Sequence, residues 1–570
     1  MAKIEHLTIS HFRGIESFKQ SFTNGLTCII GRGDSGKSSI LDAIALLFSQ
    51  SWGVHLNDSD FYNCDTSIPI IIESVVSGFT DDFLAKYNSH VRGLLSNGQI
   101  EEDMESDAAV DAEPVLTIRL TVGKDLEPSW EIVSYHDVEP TVIKATDRAK
   151  LNVFAVSDYT DRHFSMNKGN PLYSLYKQLN GDAVLDEENK VLDVVREAKA
   201  AFDDSIGTKF DVVIEKIKKV AATLGITLDE MKAMLDHRDI AISENKVSIH
   251  ENGIPFRLKG KGSKRLLSLA IQLALTQPSG EILIDEIEQG LEPDRVQHLV
   301  NVLSGYQDKQ VIITTHSSNV IVEIPCTSLF IMRYSAKCLL HVEGEIQGSI
   351  RQNPEAFFAA KVLVCEGATE VGFCRAVNAK RIQNGKTSAA CKGVRFADGT
   401  GRNMAEYVLG FKGLLYTTAL FCDSDANDIN EKKQQFIENG ITVIDCEDSF
   451  SIEEQIFKDV PWNVVQELIP IAIHKVEQDN AITKEEAEKS VFDSVNSFLA
   501  NKMAYTDGWC AGETEALRTA LGKAAKKKEW YKRQSFGEQI GEVIMAHYNE
   551  LAEGCRLKQE ILSISNWIDA

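Results

Sequence analysis

Apolar and polar residues alternate from the start of the chain, in KIEHLTISHF (Lys3 to Phe12) and again in GLTCIIG (Gly25 to Gly31), which predicts two strands. After a short polar loop, SSILDAIALLF (Ser38 to Phe48) has the pattern of an apolar helix. Further strands are expected at 115–122 (VLTIRLTV) and 130–136 (WEIVSYH). From about Leu172 to Leu235 the apolar positions recur three and four apart, in KVLDVVREAKAAF and FDVVIEKIKKVAATL, predicting an inserted helical element. Strand character returns in KVSIHENGI, EILIDE, QVIITTH and SLFIMRY. Beyond a polar break at Gly348 to Pro354 comes a second alternation: strand KVLVCEG, helix TEVGFCRAV, strand TTALFCDSD, helix KKQQFIE, strand ITVIDCE. Such alternation predicts a mostly parallel α/β domain. The tail from Val464 to Ala570 reads as largely helical. The expected division is an α/β body split between residues 1–160 and 241–347, a helical insertion at 161–240 that is a candidate dimerisation element, and a second α/β domain with a helical C-terminal region at 355–570.

Composition adds bounds. With 570 residues, 43% hydrophobic and 25% charged, the chain has ample material for more than one core. Its first residues, MAKIEHLTISHF, lack a basic segment followed by an apolar one, and no uninterrupted apolar stretch would cross a bilayer, so a cytoplasmic location without membrane partners is expected. The 11 cysteines are scattered, several inside apolar runs (Cys28, Cys365, Cys422), and form no CxxC pair; reduced core residues are the expectation. A net charge of −24 argues against a surface that binds nucleic acid everywhere. Part of that acidity lies in Glu101 to Glu113, expected to be a solvated loop.

Candidate chemistry begins at GRGDSGKS, Gly31 to Ser38, which sits between a strand and a helix. Gly31 and Gly36 permit a tight backbone that aims N–H groups at phosphate oxygens, Lys37 reaches terminal phosphates, and the Ser38 hydroxyl is placed to ligate Mg²⁺. Arg32, Gly33, Asp34, Ser35 and Ser39 complete the expected ATP-binding loop. In ILIDE, the apolar run Ile282 to Ile284 ends in Asp285, suited to hold the Mg²⁺ water shell, and Glu286, placed to polarise an attacking water. In VIITTHS a second apolar strand ends at His316, a candidate sensor of the γ-phosphate. In this order the segments constitute an ATP-binding cassette head, with ATP and Mg²⁺ as its cofactors.

A second candidate site is acidic. Glu366 ends the strand KVLVCE, Gly367 turns the chain, and Glu370 falls in the first helical turn, so both carboxylates can face the end of a parallel sheet. Asp423 and Asp425 end another apolar strand and, two apart, project to the same side. Carboxylates converging at strand ends repel one another unless a cation neutralises them, and an all-oxygen set suits Mg²⁺ or Mn²⁺.

Residues 1 to about 345 resemble the cassette heads of the RecF and SMC class, which also begin with a strand and an FRG-like turn, here Phe12-Arg13-Gly14. That resemblance implies a dimer in which a signature loop of one subunit closes the ATP site of the other. Leu258 to Arg265 (LKGKGSKR), just before the helix LLSLAIQLAL, is the best candidate for the loop. It departs from LSGGQ, with Lys259 in place of serine, while Gly260 and Gly262 keep a backbone able to approach a phosphate. No glutamine loop is identifiable.

The strand-terminal Glu and later DxD are similar to the Toprim domain of topoisomerases, primases and some nucleases. A cassette head followed by Toprim resembles, over almost the whole chain, the OLD (overcoming lysogenization defect) family of ATP-dependent endonucleases. The fold implied is α/β: an ABC-type ATPase head with a helical insertion, then a Toprim α/β domain and a helical C-terminal region. The resemblance implies two Mg²⁺ or Mn²⁺ ions, with Glu366, Glu370, Asp423 and Asp425 matching the first ligand set. A further acid follows the fourth strand in that family; in DSFSIEEQI, Glu453 fits best, Ser451 stands where aspartate is often found, and Glu454 and Asp448 are alternatives. A late lysine near the metals would neutralise charge in the transition state, and WYKRQSFGEQIG offers Lys532, with Arg533 adjacent. The run Lys523 to Lys528 (KAAKKK) is either a local basic approach for DNA or a solvated helix face.

The activity implied is a hydrolase: an ATPase and metal-dependent DNA endonuclease, nicking or cutting both strands, in bacterial antiviral defence. Homodimers or higher homo-oligomers are implied, with a UvrD-like helicase or a retron complex as further candidate partners. The rival reading is a RecF/SMC-like ATP-dependent DNA-binding repair scaffold whose Toprim domain is not catalytic. A topoisomerase would need a tyrosine-bearing strand-passage domain, and a primase would usually carry zinc-binding cysteines.

Overall fold

The computed structural model describes residues 3–49, 54–102, 104, 111–134, 138–151, 153, 155–156, 161–167, 170–180, 208–235, 247–276, 281–334, 336–343, 346–425, 427–506 and 508–570. Internal contacts divide the chain into two compact units, Met1–Val342 and Glu343–Ala570.

The first unit opens with β1 (Lys3–Phe12) and β2 (Ile15–Ser21), an antiparallel pair whose inward residues Leu7, Ile9 and Phe18 are buried, as the alternation requires. At the turn between them Arg13 takes a left-handed φ of 49° and pairs with Asp42 and, at 3.0 Å, with Asp60. β3 (Gly25–Ile30) is fully buried and leads through the glycine loop into α1 (Lys37–Leu47). β4 (Ile70–Ser77), β5 (Glu113–Val122) and β6 (Pro128–Val133) extend the antiparallel sheet in the order β2-β1-β4-β5, with β6 also on β5.

Next come β7 (Ala155–Val156), α2 (Pro171–Asn180) and α3 (Thr208–Thr223), then the antiparallel pair β8 (Met231–Leu235) and β9 (Val247–Glu251). The expected helical run to Leu235 is therefore corrected at its end. MKAML has no strong strand composition, but its five backbone positions pair with Val247–Glu251, and that ladder outweighs local helix propensity. The segment KVLDVVREAKAAF and most of Glu101–Glu113 lie outside the described residues.

α4 (Lys261–Leu275), β10 (Glu281–Ile284), α5 (Pro293–Ser304), β11 (Gln310–Thr314), β12 (Leu329–Ile331) and β13 (Leu340–His341) complete the unit. The central sheet runs β7-β10-β11-β3-β12-β13, parallel except for the β12–β13 pair. β3, β10 and β11 are buried on both faces, which is why Cys28 to Ile30, Ile282 to Ile284 and Val311 to Ile313 are apolar runs. Their C-terminal ends share one edge, and the glycine loop, Asp285 and His316 follow them there.

The second unit is built on β14 (Lys361–Cys365), α6 (Ala368–Gln383), β15 (Val394–Asp398), α7 (Met404–Gly413), β16 (Thr417–Cys422), α8 (Asn427–Glu438) and β17 (Thr442–Asp445). The four strands are all parallel, in the order β15-β14-β16-β17. Helices α9 (Ile452–Asp459), α10 (Trp462–Asn480), α11 (Lys484–Phe498), α12 (Glu515–Lys527), α13 (Gln534–Ala546) and α14 (Arg556–Asp569) follow. α6 and α13 cross in close contact because Gly372, Gly537 and Gly541 present no side chain at the crossing. All 11 cysteines are free thiols, and Cys28, Cys365 and Cys422 are buried. Among the described residues no helix is long and apolar enough to cross a membrane.

Candidate functional site

In the glycine loop, a Cβ on Gly31 would lie 2.5 Å from Met332 O and 2.8 Å from Ser35 Oγ, and Gly36 has φ 99° at the N-terminus of α1. Only glycine fits these two positions without strain. Arg32, Gly33, Asp34 and Ser38 face solvent, and Ser39 is half-buried in the first helical turn. Lys37 is buried, its Nζ donating to Gly31 O at 3.0 Å and Arg32 O at 2.9 Å. Burial pushes Lys37 down to about 8, against the opposing charges of Asp285, Glu286, Asp34 and Glu288. Ser35 Oγ is buried without a hydrogen-bond partner. An orphaned hydroxyl beside a lysine held in a glycine cradle fits a bound polyphosphate.

Asp285 Oδ1 accepts from Ser38 Oγ at 3.1 Å and from Thr314 Oγ1 at 2.5 Å, and Thr314 Oγ1 accepts from the Glu286 amide at 2.8 Å. Glu286 adopts φ 47°, a conformation disfavoured for a side chain with a Cβ. Glu288, which sequence reasoning missed, accepts from Thr315 Oγ1 at 2.6 Å and from the His316 amide at 2.7 Å, and so fixes the histidine turn. Burial, then the charge of Lys37, lowers His316 below the usual imidazole range, against Glu288, Glu286 and Asp285. The only sequence signal for Glu288 was a third acid in DEIE.

The expected signature loop is corrected in form: α4 begins at Lys261, so Lys261 to Arg265 are helical, with Gly260 as the N-cap. Gly262 has a packing reason as well, since a Cβ there would lie 2.5 Å from Gly290 O. Space around the Cβ position of Gly260 is open, and Leu258 is exposed. Lys259 pairs with Glu251 at 2.7 Å.

At the C-terminal edge of the second unit's sheet, the Glu366 amide donates to Phe421 O at 2.9 Å, and Glu366 Oε2 accepts from the Asp423 amide at 2.9 Å. Glu370 is buried in the first turn of α6, its Oε2 accepting from the Gly367 amide at 2.8 Å. Asp423 Oδ1 accepts from the Ile452 amide at 2.8 Å. Ser451 caps α9 and donates to Glu453 Oε2 at 3.0 Å.

Burial is the largest cause raising each of Glu366, Glu370, Asp423 and Glu453 above the usual carboxylate range. Mutual repulsion adds to it: Glu370 is pushed up to about 8 by burial with the charges of Glu453 and Glu366, and Asp423 is raised by all four of the other acids. Of the DSFSIEEQI acids, Glu453 is the one whose charge Glu366, Glu370 and Asp423 feel. Glu454 instead meets Lys526 at 3.2 Å, and Asp448 is exposed.

Among the described residues, no three His, Cys, Asp or Glu side chains are drawn together as a ready-made metal cage. The cation that reaches the acids is Lys526, whose Nζ pairs with Asp425 and Glu454. Burial alone would lower Lys526, but those two acids outweigh it and raise it. Lys532, the expected lysine, pairs with Glu529 at 2.7 Å; that bond comes first among the causes that raise it, with the charges of Glu453 and Glu370 also felt. Lys523, Lys527 and Lys528 are exposed. Nothing in KAAKKK marks Lys526 as the inward one; only the phase of α12 does.

Residues 2–97 match the family model described as "AAA ATPase domain", and residues 191–323 match the one described as "AAA domain, putative AbiEii toxin, Type IV TA system". No curated protein matches the chain in sequence. Among solved structures the chain is similar to the SMC head domain from Thermotoga maritima, at 14% identity over 60% of this chain and 99% of that one, with a TM-score of 0.29. It is similar to an Smc head domain with an extended coiled coil bound to the C-terminal domain of ScpA derived from Pyrococcus furiosus, at 13% identity over 60% and 96%, TM-score 0.35. A third likeness is the recombination mediator RecF with ATP, at 14% identity over 60% and 98%, TM-score 0.36. With both family matches on the residues that form the glycine loop and the Asp285–Glu286 turn, the first unit is an ATPase domain of the AAA type.

Proposed function

We propose that this chain is an ATP-hydrolysing, metal-dependent DNA endonuclease of the OLD type, its second unit a Toprim nuclease and its first a dimerising ATPase head that regulates cutting. The observation that carries the reading is the set of five acids, Glu366, Glu370, Asp423, Asp425 and Glu453, contributed by two strand ends and two helix starts at one edge of a parallel sheet. Their all-oxygen donor set, and the repulsion that with burial raises Glu366, Glu370 and Asp423, fit a hard divalent cation.

These five residues would hold Mg²⁺ or Mn²⁺. When bound, such ions supply a polarised water and neutralise charge on a phosphodiester. The protein's own part is to orient: the Asp423 amide fixes Glu366, the Gly367 amide fixes Glu370, and Ser451 fixes Glu453. Lys526 and Lys532 bring positive charge towards the same edge, where a phosphate would need it. In the head, Lys37 and the loop amides bind phosphates, Ser38 and Asp285 would hold Mg²⁺, Glu286 polarises water and His316 meets the γ-phosphate. The OLD resemblance brings with it a setting of bacterial defence against phage.

Supercoiled plasmid incubated with the full chain and Mg²⁺ or Mn²⁺ tests the reading. Nicked or linear product is expected from the wild type and not from the Asp423→Ala, Asp425→Ala double variant. Equal cutting by that variant sinks the proposal, and Lys37→Ala separates ATP use from cutting. The second reading, a DNA-binding scaffold without nuclease activity, is favoured by one observation: Lys526 already neutralises Asp425 and Glu454. It predicts ATP-dependent DNA binding with no metal-dependent product from the wild type.

A further inference from the structure

The turn carrying Glu286 is held from a second element. Arg265, in the second turn of α4, is only 4% exposed. Its Nη2 donates to the carbonyl oxygens of Asp285 and, at 2.8 Å, of Glu286, while Nη1 donates to Gln289 Oε1 at 2.8 Å. One planar guanidinium therefore grips three points of a single turn, which a lysine ammonium on the same stem has no geometry to do. The grip falls where the backbone most needs it, because Glu286 sits at φ 47° and stays there only if its surroundings over-determine it.

A second contact joins the same two elements. Gly262, one turn before Arg265, packs against Gly290 so closely that an added Cβ would lie 2.5 Å from Gly290 O. Contact at both ends of the turn leaves no slack, so a shift of the α4 N-terminus must move the turn that carries Glu286. Just ahead of these contacts, before α4 begins, stand open Gly260 and exposed Leu258, accessible to another molecule.

We infer that Arg265 is a positioning residue for ATP hydrolysis: it sets the Glu286 turn and ties that setting to engagement of the α4 N-terminus by the ATP site of a second copy of this chain. The coupling rests on the reading of Leu258 to Arg265 as the segment that closes the partner's site; the setting of Glu286 rests on the hydrogen bonds alone. A residue acting through Glu286 changes the chemical step rather than ground-state binding.

The test compares steady-state ATP hydrolysis by the full-length wild type, Arg265→Gln, Arg265→Lys and Lys37→Ala, over a range of protein concentrations. In Arg265→Gln, kcat is expected to fall by about 20- to 100-fold while KM for ATP stays within about twofold, and Arg265→Lys, with the charge but not the fork, falls in between. Wild-type specific activity is expected to rise with protein concentration, and that rise to flatten in Arg265→Gln. Should Arg265→Gln fail to fold, as judged by its melting transition, Arg265→Lys carries the same criteria. An unchanged kcat, or a raised KM alone, overturns the role of Arg265. Wild-type activity independent of concentration overturns the coupling to a second copy. Full hydrolysis by Lys37→Ala would instead sink the ATPase site itself, so the two failures are told apart.

Discussion

Ser38 Oγ donates to Asp285 Oδ1 at 3.1 Å, joining the first turn of α1 to the end of β10 across 247 positions of sequence. The bond places a neutral and an anionic oxygen side by side at the edge where the parallel strands β3 and β10 end, the combination that holds Mg²⁺ against a nucleotide. Asp285→Asn keeps an oxygen for Ser38 and Thr314 but removes the charge. Hydrolysis of ATP is expected to fall by about 100-fold or more, with the Mg²⁺ concentration for half-maximal activity raised. A colorimetric phosphate assay across a Mg²⁺ titration measures both, and hydrolysis within tenfold of wild type would contradict the assignment.

On the proposed reading, Lys37 makes ATP binding pH-dependent in a defined direction. In the nucleotide-free protein its burial holds it down to about 8, although four acids oppose the shift. A polyphosphate against Nζ favours the charged form, so the bound value lies higher than the free one. Binding therefore takes up protons above pH 8: affinity is flat below about pH 8 and falls as pH rises, by up to about tenfold per pH unit. Calorimetry at pH 8.5 in two buffers of different ionisation heat reads the uptake directly. Zero uptake would refute it, and Lys37→Arg, which does not titrate in this range, should show none.

Elements whose logic is local are legible in the sequence, and those set by distant contacts are not. GRGDSGKS, ILIDE and the strand-terminal acids can be read because a buried parallel strand must be apolar and must end where its loop begins. Val394–Asp398 escapes notice because VRFAD, on an edge of its sheet, has no apolar run. KGKGSKR reads as a loop because two glycines normally break a helix, whereas Gly262 is there to let α4 approach Gly290. The inward lysine is Lys526 rather than Lys532 alone because α12 presents it to Asp425 and Glu454, a phase that a run of lysines hides. The roles of Arg265 and Glu288 are not written in the motifs they adjoin; their meaning lies in the turn they hold.

On the proposed reading, Lys526 competes with metal for the acids it contacts. Its Nζ pairs with Asp425 and lies 3.2 Å from Glu454, and both carboxylates raise its affinity for a proton. Lys526→Gln removes the competing charge, so Mn²⁺ binding is expected to tighten by roughly threefold to tenfold. Cutting is nonetheless expected to fall by about tenfold or more, because the same charge is lost from the phosphate's surroundings. Titration calorimetry with Mn²⁺ and the plasmid assay read the two effects separately. Weaker Mn²⁺ binding in Lys526→Gln would show that the lysine supports the acids instead of competing for them.

Gly537 controls how closely α13 approaches the start of α6. A Cβ there would lie 2.2 Å from Thr369 O and 2.9 Å from Thr369 Cα, backbone atoms that cannot rotate aside. Thr369 precedes Glu370 and donates to Tyr531 O at 3.1 Å, so pushing the helices apart moves an acid of the candidate metal site. Gly537→Ala is expected to cost about 1–3 kcal/mol by overpacking. It should also lower cutting by about 10- to 100-fold, since a displacement near 1 Å suffices for that. Gly413, the last residue of α7, has nothing within 4 Å of its Cβ position, so Gly413→Ala is the matched control and should be neutral or slightly stabilising. Thermal unfolding and the nicking assay, run on both variants, decide the matter: if Gly537→Ala melts and cuts like Gly413→Ala, the close crossing does not position Glu370.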